Sequence, residues 1–218
     1  SAIIDVAAAV CLETAILYLK TKAFKITESS VITVLIVGYV LSPDSGWLKF
    51  VAASVIAIAS KSLIRFKKKH IFNPAAIGIF LAAILFGADT QWKGTYVWYV
   101  VVPFGFYFAY RIKKLEIVLG YAIAFFALFG AQAIFNRVQI WHVFGYLSYF
   151  YVFVMVIEPL TTPAKPLGKF LFGLFVASLI FILTEAGVKF DAELLSLLVL
   201  NMAVPALNEI ARKKGERL

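Results

Sequence analysis

The chain has 218 residues, 62% of them hydrophobic, and a formal net charge of +9, with a mean hydropathy of +0.92. A soluble domain of this length has no interior large enough to hide so much apolar surface, so the composition excludes one and indicates a polytopic membrane protein. The 21 Lys and Arg would suit nucleic acid only as a contiguous basic face; they fall in clusters between apolar runs, which excludes that partner.

In chain order the apolar stretches are Ala2–Leu19, Val31–Leu41, Leu48–Ile64, Ala75–Phe86, Tyr96–Tyr110, Ile117–Phe135, Val143–Ile157, Phe170–Leu183 and Leu194–Pro205. The first, third and sixth approach the ~20 residues a helix needs to cross a ~30 Å hydrocarbon core. The shorter ones read as half-helices, or as spans extended by polar residues that face the bundle. A backbone break at membrane depth is tolerated only where protein or a wet cavity surrounds it.

Taking every stretch as one crossing, the loops after stretches one, three, five and seven and the C-terminal tail hold sixteen Lys and Arg, from Lys20 to Arg217. The alternate loops hold four: Lys49, Lys93, Arg137 and Lys189. The positive-inside rule then puts the basic loops and the C-terminus in the cytoplasm and residue 1 outside. A prokaryotic cytoplasmic membrane is the expected location, with the positive charge serving topology and contact with anionic lipid. The chain opens at Ser1 with neither an initiator Met nor a basic leader, so preceding residues, even a further span, are expected. Cys11, the single cysteine, excludes an internal disulfide or a cysteine-ligated cluster within one chain. Asp5 and Glu13 lie in the first stretch, where a buried acid needs a partner or water.

Two segments echo each other. Val40–Ile58 and Val156–Ile180 both run from an apolar span through a polar residue and Pro, then Gly and Lys, into a span containing Val-Ala and Ser. Their offset of five stretches is odd, which gives the copies opposite topology, as in inverted-repeat transporters. The expected fold is all-α and polytopic, one integral membrane domain of nine to ten spanning or half-spanning helices. Its two inverted repeats would cover about 1–110 and about 111–218.

Several polar residues interrupt the apolar pattern. Asn73-Pro74 combines a good N-cap with the favoured first helical residue, so a helix is predicted to begin there. Its N-terminus would suit an anion or an electron-rich ring, or be a plain helix start. Lys61 either snorkels to the basic loop or faces the bundle. Glu158-Pro159-Leu160-Thr161-Thr162-Pro163 is a polar, helix-breaking run, readable as an interfacial loop or as a receptor for a cation or a cofactor's polar edge; Asp44 is its counterpart in the first copy. His70 and His142 fall on opposite sides, so neither a metal site nor haem is expected, and no nucleotide-binding or zinc-protease motif occurs. Trp47, Trp92, Trp98 and Trp141 sit mostly near outer span ends, as an interfacial belt would.

Lys61…Lys69-His70-Ile71-Phe72-Asn73-Pro74-Ala75-Ala76 resembles the K…N-I-F-N-P-A segment of the RnfD/NqrB family, the membrane subunits of the Rnf complex and of the sodium-pumping NADH:quinone reductase. Ser29–Leu41 looks like the family's preceding span. Phe153–Thr161 is similar to its F-M-A-T-D-P-V run, Gly168-Lys169…Gly173 to its following G-K/R…Y-G step, and Leu197–Pro205 to its closing A-I-L-L-A-N-L-F-A-P. The resemblance implies a ten-span fold of two inverted five-helix repeats. It also implies a membrane subunit working with other membrane and cytoplasmic redox subunits, and possession of a flavin, FMN or riboflavin. The family's larger members carry FMN on a Thr in an S-G-A-T motif. Here the corresponding loop, Gly87–Gly94, is short and lacks it, so the implied flavin is non-covalent. The residues implied to hold it are Lys61, His70, Asn73, Pro74, Glu158, Thr161 and Thr162, between the Asn73 helix start and the Glu158–Thr162 break, with coupling to cation movement. No self-contained catalytic motif marks the chain as an enzyme. The competing readings are an inverted-repeat transporter or channel for a small solute or ion, and a membrane anchor for a redox partner.

Overall fold

Most of the apolar sequence is helical in the residues described by a computed structural model, 28–66, 69–92 and 97–215. The first stretch, with Asp5, Cys11 and Glu13, lies outside them. The chain divides into two units, Ser1–Lys93 and Gly94–Leu218.

In the first unit α1 (Glu28–Val40), a 3-10 turn (Pro43–Ser45) and α2 (Trp47–Leu63) are followed by a two-stranded antiparallel hairpin. The hairpin pairs β1 (Arg65–Phe66) with β2 (Lys69–His70), Arg65 opposite His70. It is the one departure from helix in a stretch expected as a plain basic loop. Helix α3 (Pro74–Phe86) then starts as its sequence predicts: Asn73 Oδ1 accepts the Ala76 N–H at 3.1 Å, and Pro74 occupies the first turn, where its missing N–H costs nothing. It ends at Gly87, whose φ of +62° lets the chain turn left-handed. The Gly87 carbonyl accepts from Lys49 Nζ at 2.7 Å. Ser45 Oγ accepts the Asp89 N–H at 2.9 Å, tying together the loops at that end. Helices α2 and α3 meet backbone to backbone. A Cβ on Gly78 would lie 2.5 Å from the Ala53 carbonyl oxygen and 2.6 Å from the Ala57 methyl. Without water to drive apolar surfaces together, such small-residue contact is what holds spans to each other.

The second unit contains α4 (Trp98–Arg111), α5 (Leu115–Phe135), a single turn α6 (His142–Gly145), a π-helical segment (Tyr151–Val156), α7 (Pro166–Glu185) and α8 (Ala192–Gly215). Three segments here are long and apolar enough to cross a membrane: Leu115–Phe135, Pro166–Glu185 and Ala192–Lys213. Helices α5 and α7 pack through reciprocal glycines. A Cβ on Gly120 would lie 2.1 Å from the Phe170 carbonyl oxygen, and one on Gly173 would lie 2.0 Å from that of Ile117. The core around this contact is built from Tyr121, Phe125, Tyr151, Met155, Phe172, Leu194 and Leu197, all fully buried.

Three expectations need correction. Stretch Val143–Ile157 is not one piece, because the α6 turn ends at Gly145 and the π-helical segment begins only at Tyr151. Stretch Phe170–Leu183 starts a full turn earlier, with Pro166 in the first turn of α7. Lys169, counted as a loop residue, is therefore inside the helix and buried. Stretch Leu194–Pro205 does not stop at its proline: α8 runs on through Pro205 to Gly215 and carries Arg212 and Lys213. A proline removes one helical hydrogen bond, and apolar packing on both sides of Pro205 outweighs that loss.

Candidate functional site

The break between the π-helical segment and α7 is where polar side chains collect. Glu158, Thr161 and Thr162 come together there. Thr161 Oγ1 donates to Glu158 Oε2 at 2.9 Å, and Thr162 Oγ1 donates to the Glu158 carbonyl at 2.7 Å. Both threonines are buried, Thr161 to 2% exposure, so their hydroxyls fix the shape of the loop. From the α8 side, Asn201 Nδ2 donates to the Thr161 carbonyl at 3.1 Å. Asn208 Oδ1 accepts the Ala164 N–H at 3.0 Å.

From the α4–α5 corner comes a cation that the sequence reading counted only as loop charge. Lys114, 6% exposed, donates from Nζ to Thr162 Oγ1 at 2.6 Å and to the Pro163 carbonyl at 3.1 Å. Its aim is set by Lys113, whose φ of +57° is left-handed. That conformation is strained for a residue with a Cβ, and it folds the backbone so that the Lys114 N–H reaches the Ala109 carbonyl at 2.7 Å. A second buried lysine, Lys169, donates to the Lys113 carbonyl at 2.6 Å and pairs with Glu116 at 3.6 Å. Lys114, Lys169 and Asn201 are thus the site residues that sequence reasoning missed. Their only sequence signals were a lysine ahead of the Leu115 span, a lysine one turn after Pro166, and an Asn within the closing apolar run.

Bonds across the second unit also bring three of its lysines to one end. Lys113, Lys114, Pro163, Ala164, Lys169 and Asn208 are linked there. At the opposite end Gln132 bonds to Glu185.

The remaining predicted site residues are in the first unit. Lys61 Nζ donates to the carbonyl and the hydroxyl of Ser29, at 2.8 and 3.0 Å, bridging the end of α2 to the start of α1. His70 lies on β2, half-buried. Asn73 and Pro74 are buried at the start of α3. Since the Asn73 side chain already accepts a backbone N–H, its clearest role is the cap. Asn73→Ala is expected to lower stability by about 1 kcal/mol, which a thermal melt in detergent measures directly.

An apolar cavity of about 300 Å³ opens in the second unit between α4, α5, α6 and the π-helical segment, with Trp98, Phe106, Tyr121, Phe126, Phe144 and Phe153 among its walls. Among the described residues no group of three or more His, Cys, Asp and Glu is placed to hold a metal ion.

Long apolar helices, glycine-mediated contacts and a lysine-anchored break define an integral membrane protein with a buried polar junction in its second unit. The chain belongs to the NQR2, RnfD, RnfE family, whose sequence model matches residues 94–215. It is therefore a membrane subunit of the NQR/Rnf class of electron transport complexes, whose members work in multi-subunit assemblies and can bind flavin. The match takes in Glu158-Pro159 and Asn201–Pro205; Asn73-Pro74 precedes it. A comparison with curated proteins returned no match.

Proposed function

We propose that this subunit holds a flavin non-covalently and that the Glu158–Pro163 break of the second unit meets its polar edge. The observation that carries the reading is the buried Lys114 ammonium behind that break. A chain break at the ends of spans, its polar groups satisfied by side chains and backed by a fixed cation, suits an electron-rich ring that gains negative charge. A bound flavin would supply the electron transfer. The chain's own residues supply shape and charge. Thr161 and Thr162 hold the loop through Glu158, Asn201 ties it to α8, and Lys114 sets the local positive potential. The thirteen-residue span of α3 and the loop after it offer no S-G-A-T threonine, so attachment through that motif is not part of the proposal. In this reading the positive-inside rule puts the basic end of the second unit, where α8 ends, in the cytoplasm.

The visible spectrum of the chain, purified in mild detergent and then acid-precipitated, tests this. Flavin absorbance released into the supernatant is expected. Flavin retained in the pellet would mean covalent attachment, and a colourless, folded protein co-purified with its complex would overturn the proposal. The interrupted stretch between His142 and Ile157 favours a second reading, passage of a small solute or ion, because broken helices are how transporters build binding sites. Uptake by proteoliposomes holding this chain alone would establish it.

A further inference from the structure

Elsewhere in the second unit, several buried polar groups lie around one carboxyl that the flavin reading does not use. Glu193 lies in the first turn of α8, and its Oε2 is buried without a hydrogen-bond partner. Its carboxylate accepts from Ser148, and its backbone carbonyl accepts the Tyr151 hydroxyl at 2.7 Å. One helical turn on, Ser196 is fully buried and its hydroxyl is unpartnered. On α5 the Tyr121 hydroxyl, within electrostatic reach of Glu193, is buried and unpartnered as well. Two unpartnered hydroxyls, one on each of two helices, therefore flank one acid whose own Oε2 is unpartnered. Each alone costs about 1–3 kcal/mol of desolvation.

The charged neighbours decide what completes the cluster. On α8 the closest is Asp191, a like charge whose Oδ1 caps the helix by accepting the Leu194 N–H at 3.0 Å. Asp191 thus already answers the positive end of the helix dipole. At the end of α7, Glu185 is exposed and bonded to Gln132. Lys189, in the α7–α8 loop, is exposed. From α5 and the π-helical segment come only the Tyr121 and Tyr151 phenols. Among the described residues no cation pairs with Glu193, and an isolated buried carboxylate in a membrane costs several kcal/mol. A proton removes that charge.

We propose that Glu193 is a proton-binding site inside the membrane, its carboxyl neutral because its Oε2 is buried with no cation among the described residues to pair with it. This site is independent of the flavin reading and lies about two turns along α8 from Asn201, which ties down the Glu158 break.

Infrared spectroscopy of the detergent-solubilised chain at neutral pH, with carboxyl-labelled glutamate, tests it. One protonated-carboxyl band is expected, shifting in D2O and lost in Glu193→Gln. Because Gln reproduces the shape of a neutral carboxyl, the variant is expected to fold. Should it not, the labelled wild-type spectrum alone decides. Absence of the band would overturn the proposal. So would a band that appears only after sodium and potassium are removed, since Glu193 would then be a metal-cation ligand. A band unchanged in Glu193→Gln would assign the proton to another acid and overturn it equally.

Discussion

Gly173→Leu is expected to leave no folded protein, and Gly173→Ala is expected to lower the melting temperature sharply. The reason is geometric. An added Cβ at this position would lie 2.0 Å from the Ile117 carbonyl oxygen and 2.9 Å from the Tyr121 nitrogen. These are backbone atoms of α5, which cannot rotate away as a side chain can. An extra methylene in a well-packed core costs typically about 1–3 kcal/mol. Here the two helices must separate, and the Gly120 contact with Phe170 opens with them, so the loss should exceed that range. Against a total stability of about 5–15 kcal/mol, alanine is survivable and leucine is not. Gly145→Ala is the control, because a Cβ there meets nothing within 4 Å. Melting curves and the monodisperse fraction on gel filtration check the set. A Gly173→Ala protein that melts with the wild type would mean that α5 and α7 do not approach this closely.

How much of this could be read from residues alone varies along the chain. The membrane class follows from composition, and the start of α3 follows from Asn73-Pro74, because cap and first-turn preferences are local. The helix contacts were not legible: Gly78, Gly120 and Gly173 look like ordinary glycines until the partner helix is in place. The lengths of α7 and α8 were underread for a different reason. Pro166 and Lys169 look like loop residues and Arg212 and Lys213 like a tail, whereas burial of a lysine stem beside Glu116 keeps Lys169 helical. The Glu158–Thr162 run was legible as a break. What surrounds it was not, since Lys114 lies 48 residues before Thr162 and Asn201 lies 40 residues after Thr161. Long-range partners leave no local pattern.

That distant lysine makes the second large prediction. Lys114→Met keeps the length of the side chain and removes the charge. It strips Thr162 Oγ1 and the Pro163 carbonyl of their donor. Hydrogen bonds to a charged group contribute about 1.5–3 kcal/mol each, and methionine returns part of this as apolar packing, so a net loss of roughly 3 kcal/mol is expected. Thr162→Val acts differently, because it leaves the buried cation in place with one partner fewer, and it should cost at least as much. The two residues share one bond, so the double variant should lose less than the sum of the singles. A purely structural role ends with those melts. If the break also meets a flavin, loss of the cation withdraws stabilisation from the reduced, more negative ring. The potential of the bound flavin should then fall in the folded Lys114→Met protein while Lys114→Arg retains it. Equal potentials in wild type and Lys114→Met would place the flavin away from this break while leaving the role of Lys114 in stability untouched.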